Sequence, residues 1–209
     1  GGGAALRNGV DAATSTFSYD EAFSRNVGWL TAEEQQSLRH RRVAIAGLGG
    51  VGGVHLVTLA RLGVGAFNLA DFDTFNLVNF NRQVGATVST LNQPKIDVMA
   101  RNARDINPDV GLRLFPKGIS KDNLDEFFKD VDVYIDGLDY FAFDIREAAS
   151  RRAAELGIPV ITVGPIGMGA AMVNFLPGGM TFEKYFRLAG QTPEEKALLF
   201  LAGLTPGAL

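Results

Sequence analysis

The run Val43-Ala44-Ile45-Ala46-Gly47-Leu48-Gly49-Gly50-Val51-Gly52-Gly53 constrains this chain more than any other stretch. Four apolar residues read as a buried strand, a glycine-dense turn follows, and Val54 to Leu62 reads as a helix. Glycines let the backbone bend tightly and pass close to a ligand. The helix start then offers unpaired N–H groups and a positive dipole end to phosphate. The pattern fits a nucleotide site, and it also fits plain strand–helix packing in a doubly wound fold.

The chain has 209 residues, 46% of them hydrophobic, enough for the core of one globular domain with an added arm. A net charge of −3 gives no basic field that would attract nucleic acid. No apolar run is long enough to span a membrane and no secretory leader is visible, so a cytoplasmic protein is expected. Cysteine is absent, which excludes disulfides, a cysteine nucleophile and thiolate zinc sites within these residues. His40 and His55 are the only histidines, and both read as helix-surface or packing residues. A serine–histidine–acid triad has little material here.

Residues 1–18 are small and polar and read as a flexible N-terminus, with Gly1-Gly2-Gly3 a frayed tail. Thr31-Ala32-Glu33-Glu34 has capping-box spacing and predicts a short helix to about His40. Further strands are expected at Ala66–Asp71, Leu112–Phe115, Val131–Asp136, Pro159–Val163 and Ala170–Leu176. Helices are expected from Pro94 to Ile106, from a Ser120 cap to Lys129, and over 143–156. This alternation predicts a doubly wound, Rossmann-like and mainly parallel sheet with helices on both faces. A nucleotide-binding domain over 19–177 is then followed by a helical extension over 178–209. That extension carries more apolar residues than one short helix can hide, so it should pack on the sheet or on a second subunit. The chain also reads as a possible fragment of a longer protein.

In an open α/β sheet the ligand lies at the carboxyl ends of the strands, so the polar residues collected there matter most. Asp71 ends the second strand about 20 residues past the glycine turn, where an acid can accept hydrogen bonds from a ribose. Asn76, Asn79, Asn81, Arg82 and Gln83 crowd the loop that follows. Lys95 stands in the first turn of a helix, where the dipole disfavours a cation unless an anion sits nearby. Arg82 and Lys95 together form a candidate polyphosphate clamp. Asp136 and Asp139 close the fourth strand with two carboxylates, which suit Mg²⁺ beside phosphates.

Gly47-Leu48-Gly49-Gly50-Val51-Gly52, Asp71-Phe72-Asp73, Asn79-Phe80-Asn81-Arg82-Gln83, Gln93-Pro94-Lys95, Ile106-Asn107-Pro108 and Asp139 stand in a telling order. Over about Phe23 to Pro177 the chain resembles the ThiF/MoeB adenylyltransferases, bacterial relatives of the ubiquitin-activating enzymes. The resemblance implies an ATP site in which Gly47, Gly49, Gly50 and Gly52 lie at the nucleotide and Asp71 holds the ribose. Asn79, Arg82 and Lys95 would reach the phosphates, and Asp139 would hold Mg²⁺. Ser24-Arg25-Asn26 is similar to the family's N-terminal arginine segment, which implies a homodimer in which Arg25 reaches the partner's ATP. Where the family often has Thr-Asp-Asn, this chain has Leu138-Asp139-Tyr140.

The implied reaction is adenylation of a substrate carboxylate, of a peptide or of the C-terminal glycine of a ubiquitin-like protein, with loss of pyrophosphate. Without cysteine the chain cannot pass the adenylate to a thiol of its own. Two other classes share some of these features: an NAD(P)-dependent dehydrogenase, which leaves Arg82 with Lys95 unexplained, and a catalytically silent nucleotide-binding or dimerisation module.

Overall fold

The architecture follows from how β1 (Arg42–Ala46) divides its side chains between two faces. Val43 and Ile45 enter one apolar cluster, with Leu56, Phe67, Leu69, Ile96, Met99 and Ile135. Ala44 and Ala46 enter the other, with Phe127, Tyr134, Phe143, Ala149, Phe186 and Phe200. A strand whose alternate residues are all buried must lie inside a sheet covered on both sides.

The computed structural model describes residues 17–205. Beyond β1 the sheet contains β2 (Ala66–Ala70), β3 (Gly111–Phe115), β4 (Val133–Asp136), β5 (Val160–Ile166) and β6 (Gly169–Phe175), in the order β3-β2-β1-β4-β5-β6. β1 to β5 run parallel, and β6 pairs antiparallel with β5. A two-residue turn, Gly167-Met168, joins those last two strands, with Gly167 at φ 56°. Such a short hairpin forces the reversal of direction. The strand order reverses between β1 and β4, and a doubly wound sheet opens its binding crevice there.

The N-terminal part has α1 (Tyr19–Ala22) and α2 (Ala32–Arg39), the latter with the capping box expected at Thr31 and Glu34. Of the expected flexible N-terminus, residues 1–16 lie outside the described residues. Phe17 packs edge-on against Phe23, and Ser18 caps α1. The glycine-turn helix α3 (Gly50–Arg61) starts earlier than its apolar pattern predicts, so Gly50 to Gly53 form its first turn. With α4 (Lys95–Ile106) it covers one face of the sheet. Pro94 stands just before α4, as its N-cap, not inside its first turn.

The opposite face carries α5 (Leu124–Phe127), α6 (Phe143–Glu155), α7 (Phe182–Phe186) and α8 (Pro193–Leu204). The helix expected from Ser120 to Lys129 shrinks to one turn. The Asn123 side chain accepts from Ser120 N–H at 2.8 Å, which builds a turn, and the short helix starts only beyond it. Part of the C-terminal apolar surface is covered within this chain, while Leu198 and Leu201 stay exposed. Phe182, Phe186, Phe200 and Leu204 are buried against α6, β5 and β6. Among the described residues no helix is long and apolar enough to cross a membrane.

Candidate functional site

A cavity of about 690 Å³ opens at the carboxyl ends of β1, β2, β4 and β5. Gly47, Gly49, Gly50, Asp71, Arg82, Lys95 and Asp139 all line it.

Backbone packing fixes the glycine turn. Gly47 has φ 84°, and a Cβ there would stand 2.1 Å from the Gly137 carbonyl oxygen. A Cβ on Gly52 would stand 1.7 Å from the Gly47 oxygen. Gly52 does not line the cavity; it lets α3 press against the turn that does. Gly50 faces Arg82, whose Cγ would lie 3.5 Å from a Cβ there.

Asp71 follows β2 directly. Its carboxylate accepts from Leu48 N–H at 2.6 Å and from Asp73 N–H at 2.8 Å, so it also braces the glycine turn. Burial pushes this carboxyl above the ordinary aspartate range, while the two backbone bonds and Lys95 pull it down. The folded chain therefore holds the Asp71 proton more tightly than the unfolded chain does. Asp71 favours folding below the ordinary range, and that contribution is lost as pH rises through the raised value. Measured by urea unfolding between pH 3 and 7, Asp71→Asn should gain stability relative to the parent as pH rises. Parallel pH profiles for the two proteins would refute this.

Lys95 is buried, and its Nζ lies 3.3 Å from Asp73 Oδ2. The first-turn cation is thus held by a neighbouring carboxylate as well as facing the cavity. Arg82 is exposed and donates to Val78 O and Asn81 Oδ1, both at 3.0 Å. Among the described residues it makes no ion pair, so its charge is free for a ligand. Asn79 is buried and does not line the cavity. Its Oδ1 accepts from Asn76 N–H at 2.8 Å, closing the turn that carries Arg82. Asn79 thus braces the turn that carries Arg82, whereas contact with phosphate was expected of it.

The two carboxylates at the end of β4 have different fates. Asp136 is fully buried, and its Oδ2 is 2.7 Å from Arg146 Nε and 3.2 Å from Thr162 Oγ1. Reading Asp136 as a metal ligand is corrected by this pairing, which occupies its carboxylate. Asp139 is exposed and makes no ion pair among the described residues. No group of three or more metal-ligating side chains occurs among those residues.

Arg146 escaped sequence reasoning. Besides Asp136 it bonds the carbonyls of Leu138 at 2.8 Å, Asp139 at 3.0 Å and Tyr140 at 3.1 Å. It thereby shapes the loop that presents Asp139. The signal was its spacing with Ala149 and Ala153, which puts a cation on the buried face of an alanine-rich helix. Gln83, placed by the sequence in the loop beside the site, was given no role there. It lines the cavity beside Gly49, and its buried Oε1 has no hydrogen-bond partner among the described residues.

Arg25 does not line this cavity. Its neighbour Asn26 bonds the Arg61 and Leu62 carbonyls, at the far end of α3 from the glycine turn. A helix of 12 residues is about 18 Å long. Within one chain, Arg25 therefore sits well away from the glycine turn.

A model of the ThiF family matches residues 23–203. The chain belongs to the ThiF family. It is 35% identical over 153 residues to the tRNA threonylcarbamoyladenosine dehydratase of Bacillus subtilis (strain 168), covering 71% of this chain and 57% of that protein. It is 30% identical over 148 residues to the sulfur carrier protein ThiS adenylyltransferase of Escherichia coli (strain K12), covering 71% and 58%. The crystal structure of E. coli tRNA N6-threonylcarbamoyladenosine dehydratase in complex with ATP matches with a TM-score of 0.66 and 26% identity, covering 71% of this chain and 62% of that one. The chain thus spans under two thirds of the length of each relative. The Rossmann-like fold of the family is the one described above.

Proposed function

We propose that this chain binds ATP and adenylates a substrate carboxylate, either of a peptide or of the C-terminus of a ubiquitin-like protein. The observation that carries the reading is the cavity itself. A glycine turn, a buried ribose-type acid and two cations converge on it from four separate segments of chain. The match to a relative solved with ATP supports the same ligand. Asp71 would hold the ribose, with the base against the apolar wall of Phe72 and Ile119. Arg82 and Lys95 would bind the phosphates.

The chemistry needs little from the protein beyond alignment and charge. A carboxylate is already ionised near neutral pH and requires no general base. One of its oxygens attacks the α-phosphorus, and the bond from that phosphorus to the bridging oxygen breaks. Pyrophosphate leaves with the electron pair, and no proton has to move. Arg82 and Lys95 neutralise charge that grows on the departing group, in a site partly shielded from water. Asp139 would hold Mg²⁺, which takes one or two carboxylates together with phosphate oxygens and adds charge neutralisation there when bound.

Arg25 enters this reading only through a second copy of the chain, which would make the working unit a homodimer. The ATP assignment is checked by calorimetry. ATP with Mg²⁺ should bind and raise the melting temperature, whereas NAD⁺ should do neither. Binding of NAD⁺ without binding of ATP would overturn the reading.

A further inference from the structure

The cavity has two unlike halves. Over β1 and β2 it holds the charged groups assigned to the nucleotide, with Phe72 and Ile119 beside them. Over β4 and β5 its lining is mostly apolar, with Tyr140, Ile145, Pro165, Ile166, Leu201 and Leu204 beside Asp136, Asp139 and Thr162. The one cation in this half, Arg146, is consumed by Asp136 and three carbonyls. ATP held at Asp71, Arg82 and Lys95 leaves this second half to another ligand.

The wall is built, not incidental. Helix α8 is tied down by the Tyr140 hydroxyl donating to the Ala197 carbonyl. It is tied again by Lys196 to Glu147 at 2.5 Å, and by the Tyr185 hydroxyl donating to the Gly203 carbonyl at 2.9 Å. The Arg146 guanidinium stacks 4.9 Å from the Phe200 ring centre. A Cβ on Gly164 would stand 2.6 Å from Leu204 Cδ1, so a glycine on β5 lets the helix approach this closely. Tyr140, the residue that departs from the family's usual amide, is thereby one of the anchors of α8.

We infer that this second half is an acyl compartment, selecting carboxylates that carry an apolar group next to the carboxyl, such as peptides ending in leucine or phenylalanine. The inference rests on the adenylation reading and narrows its substrate class. A glycine terminus has no side chain and would leave the lining facing water. A leucine or phenylalanine side chain removes apolar surface from water on both sides of the contact. The compartment adjoins Asp139, so a side chain seated in it leaves the attached carboxylate at the seam between the two halves.

The test titrates N-acetyl-Gly-Leu, N-acetyl-Gly-Phe and N-acetyl-Gly-Gly into the parent and into Leu201→Asp, with ATP titrated separately into each. Leu201 is half-exposed, so the substitution is compatible with folding. The leucine and phenylalanine peptides should bind the parent at least about tenfold more tightly than the glycine peptide. Leu201→Asp should bring the three within about threefold of one another and leave ATP affinity unchanged. A smaller preference in the parent, no binding by any of the three, or a larger preference surviving in the variant overturns the inference. If Leu201→Asp fails to fold, Leu201→Trp, which fills the compartment, takes its place with the same expected loss of preference. ATP–pyrophosphate exchange is read alongside. Apolar selectivity without exchange refutes adenylation alone, and exchange without apolar selectivity refutes the compartment alone.

Discussion

Lys95→Met should lower ATP–pyrophosphate exchange about a hundredfold while the fold survives. The side chain is buried, with its ammonium near Asp73 and 6.0 Å from the Phe75 ring centre. Methionine retains most of that buried length and removes only the charge, which alanine would not. Losing one preorganised charge contact to the transition state costs about 3 kcal/mol, which is about a hundredfold in rate. The free protein should barely notice, because a cation in the first turn opposes the helix dipole and its partner Asp73 is half-exposed. Lys117→Ala, an exposed lysine just after β3, should exchange like the parent. Exchange by Lys95→Met at the parental rate would remove the phosphate clamp from the account.

The largest effect on stability is expected at Arg146. Arg146→Ala leaves the Asp136 carboxylate charged, buried and without its cation, which costs about 3–5 kcal/mol. For a chain of this size that lowers the melting temperature by roughly 6–20 °C. It also frees the Leu138, Asp139 and Tyr140 carbonyls, so the loop loses its shape along with its anchor. The double variant Asp136→Asn, Arg146→Met should be less destabilised than Arg146→Ala, because no lone charge remains buried. Thermal unfolding of the three proteins decides the matter. A melting temperature for Arg146→Ala within about 2 °C of the parent would show that the pair does not hold the loop.

These two residues also mark what could be read from the chain alone. Lys95 was legible because Gln-Pro-Lys sets it at a helix start, a local fact of chain geometry. The strands were legible for the same kind of reason: runs such as Val43-Ala44-Ile45-Ala46 are too short for a helix and too apolar for a loop. The capping box at Thr31 needs only four residues to be recognised. Arg146 and Asp136 form their pair through a loop that turns back on itself. Nothing local distinguishes a carboxylate aimed at solvent from one aimed at a helix packed beneath it. Asn79 poses the same difficulty, since a side chain can serve a ligand or its own turn with the same chemistry. The helix expected after Ser120 was lost to such a competition, with Asn123 closing a turn first.

The docking of α8 has a consequence for the order in which the molecule is made. The glycine turn, Asp71, Arg82 and Lys95 all precede β4, which completes the central sheet around them. Leu201 and Leu204, on the opposite wall, come more than sixty residues later. A chain leaving the ribosome N-terminus first can assemble the glycine-turn floor of the cavity while the roof over β5 is still to follow. For that interval the apolar strand ends lie open, and a charged ligand gripping the finished floor is the first available brace for an unfinished fold.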